Sequence, residues 1–318
     1  MRTIHNSILS QDVSALGFGC ASLGSRIGTT EGLRSIGYAY DLGVNWYDVA
    51  PPYGDGQAEG ILGSFLKGRR DQIVVCTKVG IARPEISRAK MLLRYPARWA
   101  IHAFPGLRKH ISRARSVGSR PALLPTTIRS SVETSLRLLK TDYVDVLALH
   151  EPSTEDCTSP PVLEALADLQ RQGLVRAISI AGSIDSILAG RSASNVFHGA
   201  QFPDDPFAQN LRSILRTDQA SSKFFLVTHS VFAPSVLNRL SQLLNESGGE
   251  TKIEGNPAEL LLDYALANNP MGTVVLSMYS RRHITENCSR ASQPIDPSIV
   301  QRINDLVAST LEKLSITH

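Results

Sequence analysis

The chain has 318 residues, 42% of them hydrophobic and 19% charged, with 23 Gly, 17 Pro, 8 His and 4 Cys, and a formal net charge of +4. This composition excludes a collagen-like, coiled-coil or wholly disordered chain, and so small a net charge gives no indication of a nucleic-acid partner. Cys20, Cys76, Cys157 and Cys288 form no CxxC pair, and no run approaches the roughly 18 apolar residues of a membrane span, so a reduced, cytoplasmic protein with no membrane partner is expected.

Along the chain, short β-branched runs alternate with longer amphipathic segments, the pattern of βα units around a parallel sheet. A first strand at Ala15–Gly19 precedes a helix at Thr29–Leu42, and a second at Val44–Val49 precedes a helix at Gln57–Lys67. The third, Gln72–Lys78, is followed only much later by a helix at Thr126–Leu139, whose Ile128, Val132, Leu136 and Leu139 form one apolar stripe. Then come Val144–His150 with Pro161–Gln172, Arg176–Ile180 with a helix around Ile184–Leu188, and Gly199–Phe202 with Ala208–Leu215. Phe224–His229 leads to helices at Pro234–Leu244 and Pro257–Asn268, and Thr273–Met278 leads to Arg282–Asn287. Gly43 and Gly173 stand where helices should stop. Eight alternations without a linker predict one α/β domain over residues 1–318, a single (β/α)8 TIM barrel ending in a C-terminal tail.

The irregular feature is the connection after the third strand. Residues 81–124 are far longer than an ordinary βα loop and carry ten basic side chains, from Arg83 to Arg120, against the single acid Glu85. The stretch therefore holds +9 and leaves −5 for the rest of the chain. A long basic loop over the barrel mouth is expected; it suits an anionic ligand or a phosphate-bearing cofactor, and equally a solvated lid or partner surface.

Active sites of such barrels gather at the C-terminal ends of the strands. Asp48, Lys78 and His150 fall at those ends, with Tyr53 just beyond Asp48. The segment from Gly43 to Gly54 (Gly-Val-Asn-Trp-Tyr-Asp-Val-Ala-Pro-Pro-Tyr-Gly), with Glu59 and Gly63 after it, resembles the signature of the aldo-keto reductases. Val75-Cys76-Thr77-Lys78, the unit from Leu136 to Glu151 and Gln201 resemble further family motifs in the same order. The resemblance covers roughly residues 14–290 and implies a catalytic tetrad of Tyr53, Asp48, Lys78 and His150, with no metal. Tyr53 would exchange a proton with the substrate oxygen, Lys78 would lower the phenol's pKa, Asp48 would hold Lys78 charged, and His150 would orient the substrate.

The same resemblance implies a nicotinamide dinucleotide, NADP(H) ahead of NAD(H). Ser179 and Gln201 would hold the carboxamide, with Ile180 in place of the usual Asn, and His229 would face the ring in place of the usual aromatic. Ser230 would contact phosphate, and Ser277, also a cofactor-binding position, stands where many members carry a Lys that pairs with the 2′-phosphate. Arg281 and Arg282 would meet a 2′-phosphate, with His283 in place of an Arg, and Glu286 and Asn287 would meet the adenine. The chain looks most similar to the sugar-dehydrogenase branch, implying a small carbonyl, alcohol or aldose substrate. Two other readings stay open: a nicotinamide-binding regulatory subunit with little turnover, and a Schiff-base barrel using Lys78 as nucleophile.

Overall fold

A computed structural model describes residues 1–84, 122–217, 224–247 and 253–316. Two short strands, β1 (Thr3–Asn6) and β2 (Gln11–Ser14), form an antiparallel hairpin ahead of the barrel. Eight parallel strands then close on themselves: β3 (Leu16–Gly19), β4 (Trp46–Asp48), β5 (Val74–Val79), β6 (Val144–His150), β7 (Val175–Ala181), β8 (Gly199–Pro203), β9 (Phe225–His229) and β10 (Thr273–Leu276). The closing edge pairs Val275 of β10 with Gly17 of β3. The barrel expected from the alternation is therefore the observed fold.

Around it lie α1 (Thr29–Asp41), α2 (Ala58–Phe65), α3 (Pro125–Leu139), α4 (Thr154–Thr158), α5 (Pro160–Arg171), α6 (Ile184–Ala193), α7 (Asn210–Thr217), α8 (Pro234–Glu246), α9 (Pro257–Asn268), α10 (Arg281–Ala291) and α11 (Ser298–Ile316). The stripe of α3 is buried as its spacing predicts, and Pro125 opens the helix where a missing N–H costs nothing. Gly43 and Gly173 adopt φ of 90° and 73° after α1 and α5, the left-handed conformation that ends a helix cleanly.

Three features depart from the sequence reading. The sequence reading begins its elements at Ala15 and assigns none to the hairpin; Ile4, Leu9 and Val13 are buried in it, and Ser14 N–H donates to Asn45 Oδ1 at 2.7 Å, so it caps the N-terminal end of the barrel. The expected C-terminal tail is a helix, α11, that buries Ile299, Ile303, Leu306 and Val307. Of the expected basic loop, residues 85–121 lie outside the described residues. Among the described residues no helix is long and apolar enough to cross a membrane.

The lumen is closed from below by aromatic packing. Trp46 and Phe225 meet with ring centroids 6.1 Å apart, and Gly17 and Gly199 leave room for them: an added Cβ would approach these rings to 2.8 and 2.4 Å. One layer higher on the same strand, Asp48 faces into the lumen.

Candidate active site

Asp48 ends β4, Lys78 is the penultimate residue of β5, and His150 ends β6. Asp48 and Lys78 are almost wholly buried, so neither charge could persist there without the other. Lys78 Nζ donates to Asp48 Oδ2 at 2.6 Å and to Gln201 Oε1 at 2.8 Å, while Gln201 Nε2 donates to the same Asp48 oxygen at 2.9 Å. Three side chains from β4, β5 and β8 thus form a closed hydrogen-bonded ring.

Tyr53 lies on the one-turn 3-10 helix Tyr53–Gly56 that follows β4. That turn needs glycine at position 54, where φ is 61° and an added Cβ would fall 1.5 Å from the Leu23 carbonyl oxygen. The turn sets the half-buried phenol beside the ring of three: Lys78 Nζ is 5.8 Å from the Tyr53 ring centroid, and His150 meets Tyr53 edge to face at 5.8 Å and 88°. Desolvation pushes the Tyr53 phenol up to about 12, with the Lys78 ammonium pulling it down and Asp48 pushing it up again. Burial is the largest single influence on Lys78 and works against its charge, but Asp48, Tyr53 and Cys76 together outweigh it and the net shift is upward. His229 is pushed down to about 4 by desolvation and then by Lys78, so its imidazole is neutral.

These groups line one cavity of about 1130 Å³ at the C-terminal mouth of the barrel. Asp48, Tyr53, Lys78, His150, Gln201, His229, Ser230 and Ser277 all face it, as their strand-end positions predict. His229 Nδ1 and Ser230 Oγ lie 2.7 Å apart, and Ser230 takes a left-handed φ of 66° that turns the chain along the rim.

Ser179 does not reach this cavity. The register pairs Ala181, not Ser179, with Gln201, and Ser179 sits two residues deeper in the lumen while Ile180 points outward against Gly190. The wall there is Ala181-Gly182-Ser183. Arg281, Arg282, Glu286 and Asn287 also lie outside the lining, on α10. The Arg281 guanidinium stacks 4.8 Å from the Tyr38 ring centroid, Arg282 Nε donates to Glu286 Oε1 at 2.7 Å, and Asn287 Nδ2 contacts Met278 Sδ at 3.8 Å. Arg282 and Glu286 are exposed, so their pair is worth little and leaves both side chains able to turn.

The sequence reading missed Arg26, Glu151 and Asn210, which also line the mouth. Glu151, immediately after β6, could have been found by following the strand past its end; Arg26 and Asn210, each seven residues beyond a strand, gave no such signal. The cavity exceeds the usual range for a single drug-sized ligand and leaves space for a substrate beside the end of a cofactor. A nicotinamide dinucleotide fits the donor set: a neutral imidazole, an amide at Gln201 and hydroxyls at Ser230 and Ser277.

Comparison with known proteins bears on family and fold. The model of the Aldo/keto reductase family matches residues 15–189. The chain is 31% identical over 183 residues to a D-threo-aldose 1-dehydrogenase of a Pseudomonas species, covering 55% of this chain and 52% of the relative. It is 29% identical over 190 residues to an L-galactose dehydrogenase of Arabidopsis thaliana, covering 57% and 48%. The chain thus spans about half the length of these curated relatives. Over the whole barrel it resembles solved aldo-keto reductases: one from Bacillus halodurans (TM-score 0.72, 23% identity, 96% of this chain and 95% of that one) and one from Klebsiella pneumoniae in complex with NADPH (0.70, 17%, 96% and 95%). On the family match, which spans more than half its residues, the chain belongs to the aldo/keto reductase family.

Proposed function

We propose that this chain is an NAD(P)(H)-dependent oxidoreductase that interconverts a small carbonyl compound and its alcohol, with Tyr53 as the proton-exchanging group. The observation that carries this reading is the buried Lys78 ammonium, fixed 2.6 Å from Asp48 and 5.8 Å from the Tyr53 ring centroid, with His150 against the same phenol. A dinucleotide held at this mouth would supply the hydride, so that no protein nucleophile would be needed. Tyr53 holds a proton at neutral pH and delivers it to the substrate oxygen as charge develops there. Lys78 stabilises the phenolate left behind, and Asp48 and Gln201 keep its ammonium pointed at the mouth. His150 orients the carbonyl by hydrogen bonding.

Gln201, His229, Ser230 and Ser277 would hold the nicotinamide end of the dinucleotide, and Arg281, Arg282, Glu286 and Asn287 of α10 its adenylate end. Two exposed guanidiniums on one helix support NADP(H) over NAD(H). The aldose dehydrogenases among the relatives support a sugar as substrate.

Replacing Tyr53 with Phe should lower kcat by about 10²- to 10⁴-fold, the usual share of general acid–base catalysis, while cofactor binding followed by fluorescence stays unchanged. Turnover near the wild-type rate in that variant overturns the assignment. Arg282→Ala should weaken NADPH binding and spare NADH; an equal effect on both removes the 2′-phosphate role.

A further inference from the structure

The turn that carries Tyr53 is gripped from behind by a charge pair, a half-buried Arg83 on a buried Glu59, that does not line the cavity. Gly54, Asp55 and Gly56 take φ of 61°, 55° and 81°, three successive left-handed residues, so the turn's shape depends on external anchors as well as its own bonds. One anchor is Gly54 N–H, which donates to the Ala21 carbonyl at 3.1 Å. The other is Arg83. Its guanidinium donates to the Gly56 carbonyl, and its aliphatic stem lies so close that a Cβ on Gly56 would meet Arg83 Cγ at 3.0 Å.

The same guanidinium donates to Glu59 Oε2 on α2, and Thr77 Oγ1 donates to Glu59 Oε1 at 2.7 Å. Glu59 is fully buried, and Thr77 immediately precedes Lys78 on β5. A carboxylate so buried persists only when paired, and a planar fork with several donors suits two acceptors at once better than an ammonium does. Arg83 therefore joins three things: the end of the Tyr53 turn, α2, and through Glu59 and Thr77 the strand that bears Lys78.

We propose that Arg83 is a positioning residue for Tyr53: locked on Glu59, it fixes the Gly56 end of the turn and so the placement of the phenol against Lys78 and His150. This rests on the reading of Tyr53 as the acid–base group. It also means that one cation of the basic 81–124 stretch serves the interior of the site instead of an anionic ligand. The competing role, neutralisation of Glu59 alone, predicts that removing both charges repairs everything; positioning predicts that the turn stays released.

The test compares Arg83→Met, Glu59→Gln and the double variant, each also made with 3-fluorotyrosine at position 53 and read by fluorine NMR at neutral pH. In Arg83→Met the resonance should shift or broaden and kcat should fall by about 10- to 100-fold, the cost of a small misplacement, with KM and cofactor affinity unchanged. The double variant should recover thermal stability, because no buried carboxylate is left unpaired, yet keep the displaced resonance and the low kcat. Its recovery of stability also keeps the comparison open if Arg83→Met alone fails to fold. A double variant with the wild-type resonance and kcat overturns the proposal, as does an Arg83→Met protein unchanged in both. Absence of turnover in the wild type would remove the acid–base reading, while the fluorine signal would still decide whether Arg83 holds the turn.

Discussion

At Tyr53, burial and charge act against each other and burial wins. The phenol lies at about 12, above its ordinary value near 10, although the Lys78 ammonium pulls it down. A proton held so firmly suits the acid role in carbonyl reduction. In alcohol oxidation the same group must first lose it, so kcat/KM for oxidation should climb steadily between about pH 7 and 10 while reduction stays flat over that range. Parallel profiles measured in both directions check this; an oxidation rate that levels off near neutrality would mean another group takes the proton. That Asp48, Lys78 and His150 share one mouth was legible because each stands at or next to a strand end, and Tyr53 was legible because it follows Asp48 within a recognisable motif. Ser179 was misplaced because sequence alone does not set the register: two residues along β7, roughly 6 to 7 Å, separate it from the level of Gln201. Arg83 gave no signal because its partner Glu59 meets it only when α2 and β5 are packed together.

Among elements, the junction after β8 carries its own titration. Asp204 follows the strand, is 5% exposed, and accepts hydrogen bonds from Leu211 N–H of α7 and Asn268 Nδ2 of α9, both at 2.9 Å. Desolvation pushes its carboxyl up to about 6, against the downward pull of those two donors, with Asp205 adding to the rise. Because the folded value lies above the ordinary one, its contribution to stability is fully present below about pH 4 and is lost as pH rises through 6. Two units correspond to about 3 kcal/mol at most. Urea unfolding at about pH 4 and about pH 8 should show a smaller pH dependence in Asp204→Asn than in the wild type; equal slopes would place the titration elsewhere. The strand and helix of this unit were legible from their periodicity. The clamp was not, since it joins residues some sixty positions apart.

Across the whole molecule the two ends of the barrel have separate tasks. The C-terminal mouth holds the ring of Asp48, Lys78 and Gln201, while the N-terminal end is tied together through Asp145, which is buried at the start of β6. Its carboxylate accepts from Arg70 Nη2 at 2.8 Å, Arg176 Nη1 at 2.8 Å and Val75 N–H at 2.9 Å, joining β5, β6 and β7. Arg176 also donates to the Leu9 carbonyl, which carries the link into the N-terminal hairpin. Eight alternations made the barrel legible; the hairpin that seals it was not, because it buries only a few apolar side chains and depends on distant partners such as Asn45 and Arg176. Asp145→Ala removes the shared acceptor of two guanidiniums and a buried N–H. Both arginines keep some access to water, which moderates the penalty, so a loss of about 3 kcal/mol is expected in urea unfolding. Because conservation of the N-terminal face in such barrels reflects stability and chemistry belongs to the other face, kcat of the folded fraction should stay at the wild-type value. A large fall in kcat with stability intact would mean that the floor of the barrel transmits strain to Tyr53, and that the two ends are not independent.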